Sequence, residues 1–81
     1  MTREKVTNYV IDLCCEMLIC SKDTVKLNSD ITEDLGADDL DFVEIIMNCE
    51  TEFNVSIPES DAANVHTVDD LINVVCKNLK L

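Results

Sequence analysis

The chain has 81 residues, 47% of them hydrophobic and 28% charged, and seventeen acids against six bases give a formal net charge of −11. That length fits one domain over residues 1–81 with a modest core, and the composition excludes a disordered chain. The negative field repels nucleic acid and anionic membrane and draws basic partners in; the plainer alternative is that the acidity serves solubility alone.

No uninterrupted apolar run approaches membrane-spanning length. Met1-Thr2-Arg3-Glu4-Lys5 leads straight into an amphipathic pattern without a secretory apolar core, so a cytoplasmic protein is expected. Thr2 can cap a first helix, with Glu4 in its first turn. Val6, Val10, Leu13 and Met17 recur at helical spacing, with Tyr9 and Cys14 beside them, and predict an amphipathic helix to about Cys20. Ser21-Lys22-Asp23 breaks the pattern and opens a long connection over residues 21–37. Its spaced apolar residues, Val25, Leu27, Ile31 and Leu35, are suited to pinning it across the helices. Its acids, Asp30, Glu33 and Asp34, with Asp38 after them, raise the question of calcium. They do not follow the Asp-x-Asp-x-Asp-Gly loop with its terminal Glu, so no dedicated metal site is expected.

Gly36, the only glycine, stands just before Asp38, a good N-cap residue with Asp41 three positions on. The pattern predicts a helix from about Asp39 to Phe53, stopped by Asn54. At about 100° per residue, Phe42, Ile45, Ile46, Cys49 and Phe53 share one face. Leu40, Val43 and Met47 lie opposite, interleaved with Glu44 and Thr51. One stripe fills a core. The second, rimmed by acids, either marks a binding surface or is buried as well, if the helix is central.

Val55-Ser56-Ile57 reads as an extended link, since a residue before proline disfavours helix. Pro58 then opens a short helix through Ala63. Thr67-Val68-Asp69-Asp70 resembles a capping box, and Val68, Leu71, Ile72, Val75 and Leu79 give the last helix its core stripe, with Lys77 and Lys80 at its C-terminal end. The five cysteines, Cys14, Cys15, Cys20, Cys49 and Cys76, match no zinc spacing and read as small hydrophobes. His66 has no Ser or Cys placed to make a triad, and no nucleophile–base pair or metal set supports an enzyme. The fold expected is all-α: a four-helix bundle with three main helices, one short helix and a long first loop.

Leu35-Gly36-Ala37-Asp38-Asp39-Leu40-Asp41 resembles the Leu-Gly-Ala-Asp-Ser-Leu-Asp signature of acyl carrier proteins. The resemblance continues through Val43-Glu44-Ile45-Ile46-Met47, Glu50-Thr51-Glu52-Phe53, Ile57-Pro58, Asp61-Ala62 and Thr67-Val68-Asp69-Asp70, spanning nearly the whole chain. It implies a four-helix bundle in which a Ser at the start of the second helix carries 4′-phosphopantetheine. It also implies a role in the synthesis of fatty acids or related acyl chains, with docking to basic surfaces of synthase or acyltransferase-type enzymes. The partner-face residues it implies here are Asp38, Leu40, Asp41, Val43, Glu44, Met47 and Glu50, on a monomer. Thr51 stands where an acid is common in the family. Asp39 occupies the position of the modified Ser, so 4′-phosphopantetheine is expected to be absent from this chain. The alternative is a non-carrying binding or regulatory paralogue that occupies carrier-binding enzymes.

Overall fold

Capping residues decide where the helices begin, as a computed structural model covering residues 1–81 shows. The Thr2 side-chain oxygen accepts the Lys5 N–H at 3.3 Å and starts α1 (Arg3–Leu18). Asp38 starts α2 (Asp39–Phe53) and Thr67 starts α4 (Val68–Leu79), each through a reciprocal capping box. The short α3 (Glu59–Ala62) follows Pro58, which serves as its cap rather than its first residue. A single 3₁₀ turn, Lys22–Thr24, lies in the long first connection. The protein is thus the expected all-α, four-helix bundle. No helix is long and apolar enough to cross a membrane.

α1 ends at Leu18, short of the expected Cys20. Ile19 turns into the left-handed region (φ 52°) and donates its N–H to the Cys15 carbonyl, while the Cys20 N–H reaches that same carbonyl at 3.1 Å. A β-branched residue is strained there, and Ile19 is 92% exposed, so little packing offsets the strain. Ile19→Gly is expected to stabilise the protein by about 1 kcal/mol. Chemical denaturation would show this as a higher midpoint with an unchanged slope.

α1 packs against both α2 and α4, and α3 packs on α4. Seventeen buried apolar residues form one cluster among them. The inward row of α1 is Val6, Val10 and Cys14, all without exposure, rather than the expected Val6, Val10, Leu13 and Met17. Leu13 and Met17 are half-buried on its flank, where the Met17 sulfur meets the Asn48 amide of α2 at 3.8 Å. On α4, Val68, Leu71, Ile72 and Val75 are buried as expected, and Cys76 joins them while Leu79 is only half-buried. Tyr9 of α1 sets its ring edge-on to Phe53 of α2, centroids 5.1 Å apart, and its hydroxyl donates to the Asn48 carbonyl at 3.4 Å. These contacts fix the rotation of α2 and so decide which of its faces turns outward.

The middle of the long connection is held to the start of α4 by backbone chemistry. The first N–H groups of α4 have no partner within the helix, and the connection supplies one. The Val68 N–H donates to the Ser29 carbonyl at 3.0 Å, and the Asp69 N–H to the Leu27 carbonyl at 2.9 Å. The Ile31 N–H donates in turn to the His66 carbonyl at 2.8 Å. The Thr67 and His66 N–H groups, both donating to Asp70, hold its carboxyl below the usual carboxylate range. Val25 and Ile31 are buried beneath the connection and Leu35 is half-buried, whereas Leu27 is largely exposed.

Asp30 and Asp34 of this connection serve its backbone. The Asp30 carboxylate accepts the Thr32 and Glu33 N–H groups, and Asp34 accepts the Asp30 N–H. Gly36 closes the segment at φ 80°, a conformation in which any Cβ is disfavoured even though the space around it is open.

Acids elsewhere are weakly compensated. The ion pairs are Arg3–Asp69, Lys22–Asp12 and Lys77–Asp61, each with a well-exposed basic partner, and such pairs contribute little. Self-repulsion therefore opposes the compact state. Added sodium chloride or magnesium is expected to raise the melting temperature, with most of the gain below about 0.1–0.2 M salt, where screening falls inside the spacing of surface charges. A flat melting temperature across a salt titration would contradict this.

Candidate docking face and attachment position

The site is built on α2, and its geometry follows from how that helix starts and which way it is turned. The Asp38 carboxylate accepts the Asp41 N–H at 2.8 Å, and the Asp41 carboxylate accepts the Asp38 N–H at 3.3 Å. Two acids at one helix start also suit the positive end of its dipole. Both carboxylates are thereby engaged, which sets the chain direction into α2. Asp39 is the first residue of the helix proper and is exposed.

The inward face holds Ile45, Ile46, Cys49 and Phe53, all buried, with Phe42 half-buried at its edge. The opposite face is open: Leu40 is 67% exposed, Val43 50% and Met47 57%. This excludes the alternative of a helix buried on both sides. Glu44 is exposed among these apolar residues. An open depression of about 220 Å³ lies alongside, lined by Glu44, Met47, Asn48 and Thr51. Asn48 is the one lining residue the apolar pattern does not flag. It lies one turn after Glu44 and donates to the Glu44 carbonyl at 2.8 Å, so the helical period alone could have placed it here.

Asp38, Asp39, Leu40, Asp41, Val43, Glu44 and Met47 lie along the start and outer side of α2. Glu50 stands apart from them. It is half-buried, and its carboxylate accepts the Ile57 N–H at 2.8 Å, tying the end of α2 to the link that leads into α3.

Residue 39 stands where the sequence resemblance expects the modified Ser. A phosphodiester-linked arm needs an alcohol oxygen on the protein, and the Asp39 side chain is a carboxylate. No Ser or Thr occurs between residues 33 and 50, so no neighbouring hydroxyl on this stretch can substitute. Cys49 turns into the core, where burial pushes its thiol up to about 12, and Cys14 is raised likewise to about 12, again chiefly by burial.

The family model described as a phosphopantetheine attachment site matches residues 8–75. An acyl carrier protein of Porphyromonas gingivalis is 45% identical over 76 residues, covering 94% of this chain and 97% of that relative. One of Chlorobium phaeobacteroides is 40% identical over 77 residues, covering 95% and 99%. One of Campylobacter jejuni is 49% identical over 65 residues, covering 80% and 83%.

Proposed function

The chain belongs to the acyl carrier protein family, and we propose that it docks to enzymes of fatty acid or related acyl-chain synthesis through the outer face of α2 without carrying an arm at residue 39. Members of that family are carrier modules rather than enzymes, and phosphopantetheine is the group the family attaches. The observation that carries the finer reading is the combination on α2. The acid-rimmed apolar face of Leu40, Val43, Glu44 and Met47 is present and exposed, while the position of the attachment Ser holds Asp39.

Docking and carrying are chemically separable. Docking needs exposed apolar area to bury and negative charge to meet a basic patch. Carrying needs one hydroxyl. The chain therefore reads as one domain over residues 1–81, a monomer that presents a carrier's surface to basic faces of synthase or acyltransferase-type enzymes. The five free thiols fit the reducing cytoplasm.

A second reading is favoured by the same pairing of an intact face with a missing hydroxyl: a regulatory paralogue that occupies carrier-binding enzymes. Asp39 at the first turn of α2 sets a negative charge near where an arm's phosphate would be joined. An acid at a helix start is also stabilising in its own right. Under either reading, Glu44→Lys is expected to weaken binding to a carrier-dependent synthase or acyltransferase by roughly tenfold, mainly through slower association and most strongly at low salt. Surface plasmon resonance at two salt concentrations reads this. An unaltered chain with no measurable binding to such enzymes would overturn the docking role.

A further inference from the structure

The C-terminal end of α1 brings two thiols together. Ile19, in the left-handed conformation, turns the chain back on the helix, and the Cys20 N–H reaches the Cys15 carbonyl at 3.1 Å. This is the six-residue closure of a Schellman motif, whose geometry sets the side chains of its first and last residues against each other. Here those residues are Cys15 and Cys20. The Cys20 thiol donates to the carbonyl of Cys14, the residue next to Cys15, at 3.8 Å, and the Cys15 and Cys20 side chains are both only partly buried. Cys14, the adjacent cysteine, points the other way into the core and has no exposure.

We propose that Cys15 and Cys20 are a dithiol that closes to a disulfide across the end of α1, with a low-molecular-weight disulfide such as oxidised glutathione as the oxidant. The closure is local, because the cap already holds the backbone of both residues in place. A thiolate of the pair attacks one sulfur of the glutathione disulfide, forming a mixed disulfide, and the departing glutathione takes up the proton that the protein thiol lost. The second thiol of the pair then loses its proton and attacks the protein sulfur of the mixed disulfide, expelling the second glutathione, which is protonated in turn. One protein dithiol and one glutathione disulfide become one protein disulfide and two glutathione thiols. Two electrons pass from protein to glutathione.

Burial, the neighbouring Cys20 thiol and Asp12 push the Cys15 thiol up, so little of it is thiolate at neutral pH and its attack on a disulfide is slow. Cys49 and Cys76 are buried elsewhere in the core and do not compete. The covalent link would hold Ile19 in its strained conformation and stiffen the exit from α1 into the long connection.

The full chain is treated with oxidised glutathione, quenched in acid with an alkylating agent, and examined by intact mass and by peptide mapping after cleavage at Glu16. The expected product has lost the mass of two hydrogens and two of its five thiols, with residue 15 linked to residue 20. Cys15→Ser and Cys20→Ser each stop at a single persistent glutathione adduct, while Cys14→Ala still closes. Three results overturn the proposal: closure lost in Cys14→Ala but retained in Cys15→Ser, which places the link at residue 14; a native chain that accumulates only glutathione adducts; or a native chain that links only between molecules.

Discussion

Incubated with coenzyme A and a phosphopantetheinyl transferase, the unaltered chain is expected to gain no mass, and Asp39→Ser to gain a single arm. The difference between the two proteins is one functional group at the first residue of α2. The variant supplies the alcohol oxygen that the carboxylate lacks. It leaves the capping box of Asp38 and Asp41 in place, because neither partner in that exchange of hydrogen bonds is residue 39. Losing one acid from the first turn costs roughly 0.3–1 kcal/mol of dipole interaction, too little to unfold the bundle. Circular dichroism of the two proteins is therefore expected to superimpose. Intact-mass spectrometry reads the outcome directly: all of one sample shifted, none of the other. A mass gain by the unaltered chain, mapped to residue 39, would falsify the account of this position, and a failure of Asp39→Ser would show that the transferase does not recognise this α2.

The largest expected effect on stability lies in α4. Leu71 is fully buried in the cluster shared by the helices. Leu71→Ala removes its buried methyl groups and leaves a cavity that the surrounding side chains fill only in part, at a cost of about 2–5 kcal/mol. A domain of this length has about 4–12 kcal/mol in total. The variant is thus expected to melt roughly 8–40 °C lower, at about 4–8 °C per kcal/mol for small domains, and at the upper end of the cost to be partly unfolded at room temperature. Leu40→Ala, at 67% exposure on the outer face of α2, serves as the control and is expected to leave the melting temperature within a few degrees. Equal losses for the two would mean that the outer face of α2 is packed in solution.

The features legible in the sequence are those set by nearest neighbours along the chain. The Asp38 and Thr67 caps depend on residues three positions apart, so the spacing of oxygen-bearing side chains revealed both. The two faces of α2 follow from a single helical period, and the side expected to be inward is the buried one. Asn54 stops α2 in the left-handed conformation as expected. What escaped the sequence depends on partners far away. Leu13 and Met17 fit the apolar period of α1 as well as Cys14 does, and only the positions of α2 and α4 together select Cys14 for the interior. Glu50 looks like one more acid on α2 until Ile57 presents an N–H to it. Ile19 gives no residue-level sign of a left-handed stop, because that conformation is one its side chain disfavours. At residue 39 the reverse holds: residue identity alone decides the chemistry, and the geometry adds only that Asp39 is exposed at the first residue of α2.

The carbonyls of Leu27 and Ser29 that receive the first N–H groups of α4 have a consequence for how the molecule opens. Helix ends ordinarily fray on their own, and their amides exchange with solvent deuterium far faster than the middle of the helix. Here the Val68 and Asp69 amides can exchange only when the segment ahead of α2 lifts away, so their protection factors report on a stretch far upstream. That stretch and the last helix then behave as one cooperative unit. Its opening would release the root of α2 together with the packing of α4 on α1, making the two amides a gauge of how firmly the start of α2 is anchored.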